Sequence, residues 1–410
     1  MQANGTLASL LAPLTVAAFF SQYWEKEPLH IRRGLDNHYS DVLTVSALDR
    51  YFQADNLSPD FLRAHRGGTD CPLPSWTTVE QRQNTDPYRV VVVENLFQLF
   101  NEGATIILSA AESAIPSLKA FADALEREFE ISVQTNVYIT PAGTRGFDWH
   151  YDVHDFFVLQ ICGSKRWHLY DRPVPLSVEG DGARMMEYET REPGATIELR
   201  PGDLLYLPRG TVHIAPTADE SSVHVTVGLL SKYWFHLIEK LAAVAREDVV
   251  FRQALPHGFS TDKERTAFTD QFSQALQGLL GGVAVEKLIE LLHTDFLSNQ
   301  EPARRARFAD LLGLDRLHLD SIISRRPGVN YSTKQDAANL IVTFGKREVR
   351  LPRFMALTLE SLLREEPHTV RGIQGPLSDE GKLELVKKLV QSGLLGIHKA
   401  ADPEELRREP

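Results

Sequence analysis

One stretch of the sequence decides the fold: His150-Tyr-Asp-Val-His-Asp-Phe-Phe-Val-Leu-Gln-Ile-Cys-Gly-Ser-Lys-Arg-Trp-His-Leu-Tyr170. His150 and Asp152 are two residues apart, so on a strand both side chains point to the same face. Two runs within the stretch, Phe156 to Ile161 and Trp167 to Tyr170, are typical of short strands, and a Gly-Ser turn separates them. The stretch therefore predicts a β-rich region that begins where His150 and Asp152 share a face.

The strand pattern continues on both sides of this stretch, over residues of about 131 to 231. Further short β-type runs are Ser132 to Thr140, Thr196 to Leu199, Leu204 to Leu207 and Val223 to Leu229. Turn residues such as Pro201-Gly202-Asp203 lie between them. Many short strands at close spacing are typical of a β-sandwich or barrel.

A second histidine completes a set of possible metal ligands. His213 follows a Pro-Gly-Asp turn and a hydrophobic strand, well after His150 and Asp152. Two histidines and one carboxylate on one face of an octahedron leave three positions open, which is how non-heme Fe(II) oxygenases bind a bidentate cosubstrate and O2. A His-x-Asp pair alone occurs by chance in many proteins, but this combination is specific. We therefore predict that His150, Asp152 and His213 hold a metal ion and form the catalytic centre.

Length, composition and charge exclude several other classes of protein. A chain of 410 residues with 43% hydrophobic and 24% charged residues is ordinary globular material for two or three domains. The formal net charge of −11 argues against a general nucleic-acid binder. Two cysteines, Cys71 and Cys162, are too few for a disulfide framework, and we expect reduced thiols. Phosphate-loop, nucleophile-elbow and His-Glu-x-x-His motifs are absent from the sequence.

The apolar stretch from Thr6 to Phe20 is the one candidate for a targeting or membrane segment. No Lys or Arg precedes it and Pro13 interrupts it. A signal peptide has a positive first region and a membrane span needs about 20 apolar residues. We therefore expect a capped amphipathic helix after Thr15, and a cytoplasmic protein with no membrane contact.

The regions outside the β block have their own patterns. Before it, Val90 to Val93 predicts a buried strand and Leu118 to Phe129 a helix. After it, residues of about 255 to 320 read as helices broken at Gly281-Gly282, with apolar faces at Phe268, Phe272, Leu276 and Leu279, and at Leu288, Leu291 and Leu292. Residues of about 321 to 400 predict strands Leu340 to Phe344 and Glu348 to Leu351, a helix from Pro352 to Arg364, and a helix between Ser378 and Gly393.

On these motifs the chain resembles the JmjC-type, cupin-fold oxygenases of the ribosomal-oxygenase branch. The resemblance lies in His150 to Tyr170, in Gly202 to His213, and in the early Tyr23-Trp-Glu-Lys-Glu-Pro-Leu29. It covers nearly the whole chain and implies an α+β protein. A double-stranded β-helix (jelly-roll or cupin) catalytic domain with an N-terminal extension would occupy residues 1–250. A helical dimerisation region would follow at 251–320, and a winged-helix-like domain at 321–410.

The resemblance also implies roles for single residues. Lys165 stands where the family's lysine pairs with the distal carboxylate of 2-oxoglutarate, and a buried carboxylate does need a cation. Asn136 and Tyr138 match positions that line the cosubstrate pocket, and Thr226 is a weaker candidate for the same pocket. His154 departs from the family, whose members more often carry an acidic or small polar residue there. We expect His154 on the surface or behind the ligands, with a contact to substrate or metal as the alternative.

We also expect the two neighbouring acids, Asp148 and Asp155, to be solvated or to lie behind the ligands.

The implied activity is hydroxylation of an arginine or histidine side chain in a ribosomal protein, with Fe(II), 2-oxoglutarate and O2 as cofactors, by a homodimer. Alternatives are an oxygenase for a biosynthetic peptide, methyl-lysine or a small metabolite, and a non-catalytic cupin that binds metal. Residues 323 to 400 carry 13 Lys and Arg against 8 Asp and Glu. This surplus leaves DNA binding open, but the charges are scattered, so we expect protein docking and no nucleic-acid partner.

Overall fold

The structure, a computed structural model, describes residues 6–55, 57–81, 86–182, 186–255, 257, 262–300 and 307–398, with backbone alone at 186–187 and 262–267. The chain forms two compact units, Met1–Ser231 and Lys232–Pro410. The predicted division into three domains, at 250 and 320, stays a prediction. Among the described residues, no helix combines the length and the apolar character needed to span a bilayer.

The first unit contains five α-helices among its described residues and most of the strands. The helices are α1 (Leu7–Leu11), α2 (Val16–Gln22), α3 (Val45–Phe52), α4 (Val93–Asn101) and α5 (Pro116–Phe129). The strands before the predicted β block are β1 (Leu29–Ile31), β2 (Leu62–Arg66), β3 (Thr69–Asp70), β4 (Thr77–Glu80), β5 (Tyr88–Val91) and β6 (Thr105–Leu108). Those within it are β7 (Ser132–Thr140), β8 (Asp155–Cys162), β9 (Lys165–Leu169), β10 (Ala195–Leu199), β11 (Leu204–Leu207), β12 (His213–Ile214) and β13 (Ser222–Leu230).

Two antiparallel sheets form the jelly roll. The large sheet has the order β1-β11-β8-β13-β7-β6-β2-β3, and the small sheet has the order β10-β9-β12. An apolar cluster fills the space between them: Phe156, Val158, Trp167, Leu169, Leu199, Leu205 and Leu207. The N-terminal helices cover the other face of the large sheet with a larger core. The strands predicted at 132–140 and 204–207 have the predicted bounds.

Side chains along β7 point alternately to the two faces of the large sheet, so this strand contributes both to the core under the helices and to the interior of the jelly roll. Val133 and Val137 belong to the core shared with the helices. The residues that alternate with them, Gln134, Asn136 and Tyr138, point the other way, into the jelly roll. Asn136 and Tyr138 therefore lie on the inner face, opposite Thr226 and His224 of β13.

The run Val90 to Val93 is only partly a strand, and this prediction needs correction. Its strand, β5, ends at Val91, which pairs with Thr77 at the start of β4. Val93 already begins α4. Leu96 and Leu99, three residues apart, bury the inner face of α4, so packing of this face overrides the strand preference of the valines.

The second unit combines helices with two small sheets. Its helices are α6 (Trp234–Ala245), α7 (Asp262–Gly282), α8 (Val285–Asn299), α9 (Arg307–Gly313), α10 (Ala356–Leu362) and α11 (Asp379–Ser392). Its strands are β14 (Ile322–Arg325), β15 (Ser332–Gln335), β16 (Asn339–Phe344), β17 (Arg347–Pro352), β18 (His368–Thr369) and β19 (Leu395–His398). The sheet orders are β18-β14-β19 and β15-β16-β17.

Several local predictions for this unit match its structure. The hairpin β16–β17 turns at Gly345-Lys346, with Phe344 opposite Arg347. The Ser378 hydroxyl caps α11, and Gly393 ends it in the left-handed region at φ 90°. The helix predicted from Pro352 is shorter, because residues 353–355 form a 3-10 turn and α10 begins at Ala356.

Candidate active site

Three side chains with metal-binding atoms converge where β12 lies beside the segment that precedes β8. His150, Asp152 and His213 each offer one ligand atom, and these atoms lie within 4.8 Å of one another. The Asp152 Oδ2 atom is 3.8 Å from the His213 Nε2 atom. His213 is buried, while His150 and Asp152 are partly exposed. The set has the donor chemistry for one divalent ion with open positions.

The hydrogen bonds of both histidines leave the same ring nitrogen available. His150 Nδ1 lies 2.7 Å from the Asp148 carbonyl oxygen, and His213 Nδ1 lies 3.0 Å from that of Thr211. A carbonyl only accepts, so each Nδ1 carries the hydrogen and each Nε2 keeps its lone pair for a metal. Burial, followed by the neighbouring His150, lowers the pKa of His213 to about 4. His213 is therefore a neutral ligand near pH 7.

His150 and Asp152 do not lie on a regular strand, which corrects the reason given for their shared face. His150 pairs only with His213, by reciprocal backbone hydrogen bonds of 3.2 and 2.8 Å. The Asp152 carbonyl instead accepts from the Gly210 N–H at 2.9 Å and from the Ser177 hydroxyl at 3.2 Å. These backbone groups form hydrogen bonds with loops on both sides. The regular hydrogen bonds of the strand therefore begin only at Asp155.

Lys165 places a buried amino group in the same cavity. Its Nζ donates to the Thr140 hydroxyl at 3.1 Å, and no acidic side chain of the described residues forms an ion pair with it. Burial lowers the pKa of Lys165 to about 7. A buried amine without a carboxylate partner is costly unless an anion comes to it. The cavity is therefore suited to a ligand with a carboxylate at the Lys165 end.

The other predicted pocket residues lie on neighbouring strands of this cavity. All seven predicted site residues line it: Asn136, Tyr138, His150, Asp152, Lys165, His213 and Thr226. Asn136 Oδ1 accepts from the Ala110 N–H at 3.1 Å, which fixes the amide. Burial raises the pKa of Tyr138, so its hydroxyl stays protonated. What these residues contact in a complex stays a prediction.

His224 is a cavity residue that the sequence interpretation missed. Its ring stacks on Tyr138, with centroids 4.7 Å apart, and its Nδ1 has no hydrogen-bond partner among the described residues. Burial, and then Lys165, holds the pKa of His224 well below its usual value. The sequence could have predicted this position, because His224 precedes Thr226 by two residues and so lies on the same face of the strand.

His154, expected on the surface or behind the ligands, is partly buried and lines the cavity. Its ring packs on Gly228, where a Cβ atom would come within 2.8 Å of the His154 Nε2 atom. A glycine at this position of β13 therefore leaves the space that the imidazole occupies.

One part of the chain matches a known family of domains. Residues 108–237 match the sequence profile of the JmjC domain, and this range spans β7 to β13 with all three ligand residues. This part of the chain is thus similar to the JmjC domain, and its strands form a cupin fold.

Longer parts of the chain are similar to an NO66 protein and to a ribosomal oxygenase. The chain is 28% identical to the bifunctional lysine-specific demethylase and histidyl-hydroxylase NO66 of Dictyostelium discoideum, over 73% of this chain and 59% of that protein. It is 26% identical to ribosomal oxygenase 1 of Gallus gallus, over 72% of this chain and 50% of that protein. The chain thus spans little more than half the length of these two relatives.

A solved structure extends the likeness of fold to almost the whole chain. The structure of YcfD, a ribosomal oxygenase from Escherichia coli, in complex with cobalt and 2-oxoglutarate matches with a TM-score of 0.53 and 16% identity. The match covers 94% of this chain and 99% of that one.

Proposed function

We propose that this protein is an Fe(II)- and 2-oxoglutarate-dependent dioxygenase that hydroxylates a side chain of a protein. One observation carries the proposal: a two-histidine, one-carboxylate ligand set shares a cavity with the buried Lys165, which has no acidic partner among the described residues. A metal-binding cupin without catalytic function would have no need for such a buried cation.

Different residues would bind the metal, bind the cosubstrate and form the cavity wall. His150, Asp152 and His213 would hold Fe(II), and Lys165 with Thr140 would bind the distal carboxylate of 2-oxoglutarate. When bound, iron with 2-oxoglutarate and O2 supplies the oxidation of an unactivated C–H bond, while the protein positions the groups and excludes water. Tyr138 and His224 form a stacked pair in the wall of the cavity.

The proposed substrate is an arginine or histidine side chain of a ribosomal protein. The names of the relatives support a protein substrate. Charge supports it too, since the first unit carries 18 Lys and Arg against 30 Asp and Glu, a net charge of −12. A negative catalytic unit attracts basic proteins, and ribosomal proteins are basic. The second candidate is demethylation of methyl-lysine, which the name of the Dictyostelium relative favours.

Two measurements test this function. Purified protein with Fe(II) should convert 2-oxoglutarate to succinate, faster with peptides from the correct substrate. Mass spectrometry of ribosomal proteins from cells with and without the gene should find a peptide heavier by one oxygen atom. A peptide that loses a methylene would favour demethylation, and no succinate under any condition would refute the oxygenase.

We further propose that the protein is a homodimer that assembles through α7 and α8. Part of the predicted apolar face is covered within the chain, because Leu279 and Leu288 pack with Leu241 of α6. Phe272 and Ile289 remain 49% and 55% exposed. The same helices of a second copy, related by two-fold symmetry, would cover this surface.

A further inference from the structure

A buried charge network joins the two segments that carry the metal ligands. Arg209 Nη1 donates to the Asp155 carboxylate at 2.9 Å and to the Glu25 carboxylate at 2.5 Å. The Tyr206 hydroxyl donates to the other Asp155 oxygen at 2.7 Å. Asp155 is fully buried and Arg209 is 4% exposed. Of the two positions expected for Asp155, solvated or behind the ligands, burial excludes the first.

This network begins three residues after one ligand and ends four residues before another. Asp155 follows Asp152 at the start of β8, and Arg209 precedes His213 in the loop after β11. The bond between Arg209 and Asp155 therefore ties together the two chain segments whose spacing sets the ligand geometry.

The residue next to Arg209 extends this connection to the ligand itself. The Gly210 N–H donates to the Asp152 carbonyl at 2.9 Å. Gly210 has φ +81°, and a Cβ atom there would come within 2.4 Å of the Val174 carbonyl oxygen. The loop thus approaches Asp152 closely, in a conformation that glycine permits, and Arg209 anchors that loop from the other side.

Glu25, in the N-terminal motif Tyr23 to Leu29, is a further member of the network. Glu25 holds φ +57°, its N–H donates to the Tyr206 hydroxyl at 2.8 Å, and Arg172 donates to its carbonyl at 3.0 Å. The backbone of Glu25 is therefore fixed at several points, and its carboxylate meets Arg209 in a set position.

Stability alone is a weak reason for such a network. Buried ion pairs are often no better than apolar packing, because each charge loses its hydration. They do fix the relative orientation of the groups that they join, because a guanidinium donates hydrogen bonds in defined directions. A site that must hold ligand atoms in place before the metal arrives gains from this directional control.

We propose that Arg209 is a positioning residue that holds the segments of Asp152 and His213 at metal-binding spacing, with Glu25 and Asp155 as its supports. The inference rests on the metal site of the proposed function. Loss of outer partners of metal ligands typically lowers metal affinity 10- to 100-fold. We expect Arg209→Met to weaken binding within this range, while all three ligands remain.

The test is a calorimetric titration of the full chain with Co2+, together with the visible absorption of the bound ion, which reports ligand geometry. Arg209→Met should bind Co2+ about 10- to 100-fold more weakly, with an altered spectrum. Arg209→Lys keeps the charge and should recover part of the affinity. Arg326→Met is the matched control, because Arg326 forms a similarly buried pair with Asp310 in the second unit. It should lower the unfolding temperature without changing Co2+ affinity.

The outcomes separate this inference from the proposed function. If the wild-type chain fails to bind Co2+, or binds it equally well after His213→Ala, the metal site itself is wrong. If the wild-type binds and Arg209→Met binds with the same affinity and spectrum, the metal site stands and Arg209 has no positioning role. Should Arg209→Met not fold, Glu25→Gln removes one support at the partly exposed end of the network. Weaker Co2+ binding by Glu25→Gln supports the proposal, and unchanged binding refutes it.

Discussion

At the scale of single residues, we predict that the charge of Lys165 controls which ligands the cavity binds. Because burial lowers the pKa of Lys165 to about 7, the ligand-free amine is charged below pH 7 and neutral above it. An anion binds the charged form, so the affinity for 2-oxoglutarate should fall about tenfold per pH unit above pH 7. Calorimetric titration of the metal-loaded protein between pH 6.5 and pH 9 measures this.

Lys165→Arg is the control for the pH series, since a guanidinium keeps its charge throughout the range. Its affinity for 2-oxoglutarate, whatever its absolute value, should not change with pH. A flat profile in the wild-type protein would show that another cation binds the distal carboxylate.

The ligand assignment makes a second prediction at this scale. His213→Ala removes one of three ligands and leaves the cavity intact, so Co2+ affinity and succinate formation should both be lost. His154→Ala removes a cavity imidazole outside the ligand set and should leave Co2+ affinity unchanged. Full activity of His213→Ala would overturn the facial arrangement.

Spacing was enough to predict which three side chains come together, but the residues around them depend on contacts that spacing cannot supply. His150, Asp152 and His213 follow from residue type and order. Asp155 differs, because its partners are Glu25 and Arg209, far away in the sequence. Burial of a carboxylate depends on such distant partners, so local pattern could not decide between a solvated side chain and one behind the ligands.

At the scale of elements, the loop after β11 is under tighter constraint than its sequence suggests. Gly210→Ala should destabilise the fold for two reasons: strain at φ +81° and a close approach to the Val174 carbonyl. The strain alone costs about 1–2 kcal/mol. The clash adds to it and displaces the Asp152 backbone, so both the free energy of unfolding and Co2+ affinity should fall.

Gly34→Ala is the matched control for the loop, because Gly34 has φ +62° but no neighbouring atom within 4 Å of the place that a Cβ atom would take. It should show the cost of strain alone, with metal affinity unchanged. Denaturant unfolding and Co2+ titration compare the two variants. Equal losses of stability, with no change in Co2+ affinity for either, would mean that the contact with Val174 does not matter.

Strands with clear alternation were predictable at this scale, and irregular ones were not. The strand β7 could be predicted to the residue because its side chains alternate between two buried layers. The segment around His150 has the composition of a strand, but its backbone hydrogen bonds go to loops on both sides. Sequence pattern reports which side chains are apolar, and it does not report which backbone groups find partners in loops.

At the scale of the whole molecule, charge differs between the two units. The first unit has a net charge of −12, and the second has 26 Lys and Arg against 25 Asp and Glu, a net charge of +1. The whole-chain value of −11 therefore arises in the first unit. This is consistent with recognition of a basic protein by the catalytic unit, as the proposed function requires.

The last prediction concerns assembly. Phe272 is 49% exposed on α7, and Ile289 is 55% exposed on α8, so both helices present apolar surface to solvent in one chain. A dimer that buries this surface predicts a mass of twice 46.1 kDa in light scattering at micromolar concentration. Phe272→Glu places a charge in the interface and should give monomers with impaired activity on a protein substrate, because a buried unpaired carboxylate is costly. Phe354→Glu, at a 67% exposed site on the C-terminal part of the same unit, should stay dimeric. A monomeric wild-type protein under these conditions would rule the dimer out, and the exposed side chains would then have to be explained by a different partner.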